Sequence, residues 1–327
     1  MARAHIIGTG GYAPPKVVTN DDLAKRVETS DAWIVERTGI RERRMAAPGE
    51  NTSDMAVKAS IAALEMARTR ADELDLIILG TVTPDMPMPA SAAFVAHKLG
   101  AKKAFAFDLS AACAGSLFGL SVAQQYIVSG QAKRVLVIGA ELLTRVIDWE
   151  DRNTCVLFGD AAGAMVVGPS PSDSRGLMSI HLHTEGSLAN ILWIQGGGSV
   201  HPASHEMIDQ KLHKVQMNGR EVFKFAVRSL SEKLLQALEA NKVTAEQVTH
   251  VIAHQANIRI IDAVLERVGI PREKATLNID RYGNTSSASL PMTLDEANRA
   301  GKLKEGDLVA MMAIGAGMSY GSALVRW

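Results

Sequence analysis

Along the chain, short runs of apolar residues alternate with longer stretches in which apolar positions recur at helical spacing. The runs Leu74–Val82 (LDLIILGTV), Lys103–Ser110 (KAFAFDLS) and Arg134–Glu141 (RVLVIGAE) are too continuously apolar for strands with one wet face. They read as strands of a parallel sheet covered on both sides. Between the last two, Leu117, Leu120, Ala123 and Ile127 keep helical spacing, and Gly130 is placed to stop the helix. Gly159–Gly168 (GDAAGAMVVG) adds a further strand. The second half repeats this order in Val248–Asn257, Ala275–Met292, Asp307–Gly317 and the closing Gly321–Trp327. Strand starts fall about thirty residues apart in both halves, the size of a βαβ unit, so the pattern predicts an α/β protein. Any α/β chain shows such spacing; a Gly-initiated apolar strand at the end of each half favours a true duplication. The Pro- and Ser-rich stretch Gly168–Gly176 (GPSPSDSRG) is the natural border, dividing the chain into residues 1–170 and 171–327. Gly196–Gln210 reads as a surface excursion within the second half.

Composition narrows the class. The 327 residues are 47% hydrophobic and 21% charged, which suits a compact fold rather than a disordered chain. Lys and Arg (35) balance Asp and Glu (35), so net charge draws the chain neither to nucleic acid nor to anionic lipid. Any basic site must be local. No apolar run approaches the ~18–20 residues that span a bilayer, and MARAHIIGTGGYAPP lacks the apolar core of a signal peptide. Two cysteines are too few for a disulfide framework and suit a reducing compartment. A cytoplasmic protein is expected.

Candidate chemistry gathers at strand ends. In parallel α/β sheets, ligands collect beyond the carboxyl ends of strands, where helices begin. Cys113, in FDLSAACAGSLFGL, stands at such a joint among small residues. A helix N-terminus there would favour thiolate over thiol and could stabilise an oxyanion. A small buried filler would explain the same cysteine. His254 (IAHQAN) and Asn284 (YGNTSSAS) follow two strands of the second half, and each alone would pass for a structural histidine or an N-cap. The duplicated plan puts all three on one side of the sheet system. Together they read as a nucleophile with two polar partners.

These segments carry a resemblance. DLSAACAG, HQANIRI and YGNTSSASLP resemble the three active-site motifs of the β-ketoacyl-[acyl-carrier-protein] synthase III family. DAWIVERTGIRERR, LFGDAAGAMVVG and the terminal GSALVRW resemble other parts of it, so the similarity spans the chain. The resemblance implies the thiolase fold, two duplicated βαβαβαββ halves in a five-layer αβαβα architecture, assembled as a homodimer. It also implies a reaction. Cys113 would take the acyl group of an acyl-CoA and release CoA; malonyl carried on acyl carrier protein would lose carbon dioxide, and its enolate would attack the acyl-cysteine. The product, a 3-oxoacyl-[acyl-carrier protein], starts type II fatty-acid synthesis. Neutral His254 and Asn284 would donate hydrogen bonds to the enolate oxygen, which a carboxylate would repel. The N–H groups of Cys113 and Gly315 would form the oxyanion hole for acyl transfer. Trp33, Arg37 and Arg152 match the clamp on the CoA adenine and phosphates, and Lys224 and Arg259 match positions that meet the acidic helix of carrier protein. No cofactor, metal, nucleic acid or membrane is implied, since acyl-CoA is a substrate.

Two departures from the family pattern bear on primer size. Ile314 precedes Gly315, Ala316 and Gly317 where the family usually has Phe. Met88, in TPDMPMPASAA, stands where Phe often reaches across the dimer to floor the partner's acyl pocket. With Leu143 and Phe158 as further lining, primers longer or bulkier than acetyl are expected. Other features read as ordinary. Arg37, Arg41, Arg43 and Arg44 alternate with Glu36 and Glu42 and predict a solvated, salt-bridged face. Cys155 reads as buried packing, and His181, His183, His201, His205 and His213 show no ligand spacing. GTGGYAP lacks the third glycine and the helix of a dinucleotide site. A thiolase would need a second cysteine near GAGMSYG, and RTGIRERR and the short length separate the chain from chalcone-synthase-like enzymes. An acyltransferase or condensing enzyme priming a polyketide or quinolone pathway, and a non-catalytic protein on the same fold, are the alternatives.

Overall fold

The computed structural model describes residues 3–327. Two mixed sheets organise it. The first contains β1 (Ala4–Tyr12), β2 (Leu76–Gly80), β3 (Phe105–Leu109), β4 (Val135–Leu142) and β5 (Asp160–Pro169) in the order β1-β5-β4-β2-β3. The second contains β6 (Gly176–Thr184), β7 (His250–Ala253), β8 (Leu308–Gly315) and β9 (Ser319–Arg326) in the order β7-β8-β9-β6. With the single bridge at Ala275 counted as the place of the second half's third strand, both sheets contain the order 2-4-5-1, with the second strand parallel to the fourth and the fifth antiparallel to its neighbours. The apolar runs became strands, but β3, expected to be covered on both faces, lies at the sheet edge with Phe105 48% exposed, because only β2 pairs with it. β2, β4 and β8 are buried over their whole length.

Six main helices form the remaining layers. α1 (Thr52–Ala67) and α2 (Ser91–Leu99) cover the outer face of the first sheet, packing Met55, Ala59, Ala63 and Val95 on it. α4 (Gly219–Ala240) and α5 (Ile258–Val268) cover the outer face of the second, burying Leu230, Leu234, Ile261 and Val264. Between the sheets lie α3 (Gly115–Val128) and α6 (Ser289–Arg299). Leu117, Leu120 and Ala123 of α3 share one core with Leu290 and Leu294 of α6 and with inward residues of both sheets. The result is the αβαβα order of the thiolase fold. Gly130 ends the α3 segment with φ 74°, the left-handed conformation expected of it. Among the described residues, no helix is long and apolar enough to cross a membrane.

Three details differ from expectation. The segment from Ala275 is not a full strand: one bridge, Val251 to Ala275, marks the place of a third strand beside β7, and the chain then turns through the short helix Ile279–Tyr282. Arg43 is not on a solvated face but 0% exposed. Its guanidinium donates to the carbonyls of Val18 (3.1 Å) and Val156 (2.8 Å) and to Asn20 Oδ1 (2.9 Å). Alternation along Glu42–Met45 turns this one arginine inward, and burial lowers its pKa to about 10. The base of the expected surface excursion is also structural, because Gly196 and the adjacent Trp193 and Ile194 line a cavity.

Candidate active site

Cys113 lies in the turn Ala112–Ala114 that joins β3 to α3, and is 7% exposed. Ala112 holds a left-handed φ of 46°, which reverses the chain sharply before the helix. Gly315, at the end of β8, packs directly on this turn. Its φ of −147° is open to any residue, so the glycine is required by space: a Cβ would run into the Cys113 backbone nitrogen. The helix-entry position does not make Cys113 a resting thiolate. Burial pushes its pKa up to about 12, desolvation outweighing the hydrogen bond from Ser286 that favours the thiolate.

His254 follows β7, its N–H donating to the Met312 carbonyl of β8 at 2.8 Å. The ring is 5% exposed, and neither ring nitrogen has a hydrogen-bond partner among the described residues. Burial lowers its pKa to about 3, so the imidazole is neutral and one nitrogen carries a free N–H. Asn284 is gripped by the first half: its N–H donates to Leu157 O (2.8 Å) and its carbonyl accepts from Gly159 N–H (3.0 Å). Asn284 Oδ1 accepts the Ser286 N–H at 2.9 Å, which orients the carboxamide and leaves its NH₂ to donate. Cys113, His254 and Asn284 line a single cavity of about 910 Å³, with Gly315, Ile314 and Phe158 in the same wall.

The basic residues stand on the same cavity. Trp33, in the helix Asp31–Thr38, has the Arg37 guanidinium 4.6 Å from its ring centroid and that of Arg152 at 4.9 Å. Lys224 pairs with Glu221 at 3.0 Å, and Arg259 lies 5.6 Å from the Phe223 ring centroid. All five line the cavity that reaches Cys113. A second cavity of about 530 Å³ also reaches Cys113 and is lined by Leu143 and Phe158, with Met86, Trp193 and Ile194. Met88 is not in its wall. It is 84% exposed, while its neighbours Met86 and Pro87 reach the lining. Cys155 is buried, as expected for packing. Among the described residues, no three His, Cys, Asp or Glu side chains gather as metal ligands would.

Comparisons with known proteins bear on this arrangement. Residues 107–186 match the model of 3-oxoacyl-[acyl-carrier-protein] synthase III, and residues 238–327 match that of its C-terminal part. The β-ketoacyl-[acyl-carrier-protein] synthase III of Desulfitobacterium hafniense is 49% identical over all of this chain and 98% of that protein. The enzyme of that name from Symbiobacterium thermophilum is 51% identical, covering 98% of this chain and 97% of its own. The chain belongs to the β-ketoacyl-[acyl-carrier-protein] synthase III family. A crystal structure of the synthase III from Aquifex aeolicus superposes with a TM-score of 0.91 at 48% identity, covering 99% of this chain and all of that one. The priming β-ketosynthase of the R1128 polyketide pathway superposes at 0.92 with 36% identity, covering 98% and 95%.

The duplication of the fold is visible at the site itself. Ser286 has a φ of 51°, like Ala112, and the turn Ser286–Ala288 leads into α6 as Ala112–Ala114 leads into α3. Ser287 therefore occupies the place of Cys113 in the other half. It is fully buried and donates to the Gly80 carbonyl at 2.7 Å. Sequence reading did not single out Trp193, Ile194, Met86 or Phe223 as lining. The signal available was weak, because isolated apolar residues in loops are common on any surface.

Proposed function

We propose that this chain catalyses the decarboxylating condensation of an acyl-CoA primer with malonyl-[acyl-carrier protein], initiating type II fatty-acid synthesis. The observation that carries the reading is the meeting of one cysteine, one neutral histidine and one asparagine on a single cavity. In the first step the Cys113 sulfur attacks the thioester carbonyl, and CoA leaves as a thiol carrying the proton of Cys113. The N–H groups of Cys113 and Gly315 receive the oxyanion. In the second step the malonyl group loses carbon dioxide, and the enolate oxygen is held by the N–H of His254 and the NH₂ of Asn284. The enolate carbon attacks the acyl-cysteine, the Cys113 sulfur leaves as thiolate, and a proton from water restores the thiol.

Trp33 and Arg152 suit stacking with an adenine, and Arg37 suits its phosphates. Lys224 and Arg259, at the mouth, suit an acidic carrier protein, and a cytoplasmic homodimer in which Met88 reaches the partner's pocket completes the reading. On this plan residues 1–170 supply the nucleophile and residues 171–327 the two enolate donors. Ile314 in place of Phe, with the second cavity of about 530 Å³, supports primers beyond acetyl. The likeness to the R1128 priming enzyme favours one second reading, in which the same condensation primes a polyketide chain.

Intact-mass measurement after incubation with acetyl-, butyryl- and octanoyl-CoA tests the proposal. The acyl mass is expected on Cys113, with the longer primers competing well. An unchanged adduct in Cys113→Ala overturns the nucleophile, and strict preference for acetyl overturns the primer assignment.

A further inference from the structure

Glu141, at the carboxyl end of β4, is fully buried and plays no part in the steps above. It is held by hydroxyls and one backbone amide. Oε2 accepts from Thr81 Oγ1 (3.1 Å), Val82 N–H (3.1 Å) and Thr83 Oγ1 (2.7 Å). Oε1 faces Ser286 Oγ (3.0 Å) and Ser287 Oγ (3.2 Å). The two sets come from opposite halves: the first follows β2, and the second belongs to the turn between Asn284 and α6. Ser287 has one hydroxyl proton and a shorter bond to Gly80 O at 2.7 Å, so Ser286 is the main link from the carboxylate to that turn.

Ser286 is also the residue on which the site turns. Its φ of 51° is disfavoured for a side-chain-bearing residue and must be held by its surroundings. In that conformation its N–H meets Asn284 Oδ1 at 2.9 Å. Its side chain stands beside the Cys113 sulfur, and both residues line the second cavity. We propose that Glu141 is a positioning residue for decarboxylation: it clamps Ser286 in the left-handed conformation and so holds the Asn284 carboxamide in its donating orientation. This inference rests on the reaction proposed above.

A carboxylate suits the site because Thr81, Val82, Thr83 and Ser286 all arrive as donors. Glutamine keeps the shape but replaces one oxygen with an NH₂, which would face donors. Glu141→Gln is therefore tested by measuring the two half-reactions separately. One readout is the rate of Cys113 loading from an acyl-CoA, by intact mass; the other is carbon dioxide release from malonyl-[acyl-carrier protein] with condensation. Loading is expected within about threefold of wild type, while decarboxylation falls about tenfold or more. Wild-type rates in both steps would overturn the inference, as would an equal loss in both that follows the folded fraction. Should Glu141→Gln fail to fold, Thr83→Val is read in the same way, since it removes the carboxylate's shortest hydrogen bond and Thr83 lines neither cavity. Wild-type loading separates the two ideas. No loading at Cys113 refutes the proposed reaction and this inference with it; loading with normal decarboxylation in the variant refutes this inference alone.

Discussion

At the scale of single residues, the site depends on groups kept neutral by burial. His254 has a pKa lowered to about 3, so it can serve as a donor throughout the physiological range without becoming imidazolium. Replacing His254 or Asn284 with Ala should raise the decarboxylation barrier by about 3–4 kcal/mol, by analogy with other oxyanion donors. Cys113 loading should change little, which rapid-quench mass analysis of each step would check; equal loss of both would contradict the division of roles. The same burial has a stability consequence. In the unfolded chain His254 titrates near 6.5, but in the fold only near 3, and His5 is lowered to about 4 by burial and the nearby Arg175 charge. Between these values the unfolded state binds protons that the folded state refuses. Stability is thus full above pH 6.5 and falls with acidification, by about 1.4 kcal/mol per pH unit for each such group. Urea midpoints taken from pH 7 to 5 should decline in wild type and less steeply in His254→Gln. A slope unchanged by that substitution would remove His254 as a source.

At the scale of elements, function rests on how closely the two central helices approach the sheets. The turn before α6 lies on β4, and Gly139 leaves room for it: a Cβ there would collide with the Ser287 carbonyl oxygen. Gly80 and Gly115 meet in the same manner at the start of α3. These contacts set the height of both helix N-termini and hence of Cys113 and Ser286. Gly139→Ala should destabilise the protein by about 1–3 kcal/mol through overpacking, seen as a lower denaturant midpoint. It should also impair decarboxylation in the fraction that remains folded, because Asn284 moves with the turn. A variant with unaltered midpoint and rate would show that the contact can relax.

At the scale of the whole molecule, the two halves share one interior. α3 and α6 bury their apolar residues against both sheets at once, in a core that draws on β2, β4 and β5 from the first half and β8 and β9 from the second. Separating the halves would expose that core. Unfolding followed by calorimetry and by tryptophan fluorescence should therefore give one coincident transition rather than two. Residues 1–170 produced alone should fail to give a cooperative transition. Two resolved transitions in the full chain would argue that each half is stable by itself.

The sequence alone determined what depends on near neighbours in the chain. Continuous apolar runs specified β2, β4 and β8, helical spacing specified α3, and the motifs around Cys113, His254 and Asn284 named the residues that meet at the cavity. Tertiary structure decided the features that depend on residues far apart. Ala275 makes only one bridge to β7, so its segment could not be told from a full strand by pattern. Arg43 looks like its exposed neighbours until the carbonyls of Val18 and Val156 are found around it. Glu141 ends an ordinary strand motif, and only folding brings Thr83 and Ser286 to its oxygens. For all three the deciding partners lie far off in the chain; for Arg43 and Glu141 the reason is that an ionisable group is tolerated in the interior only where the assembled layers deliver hydrogen-bond partners to it.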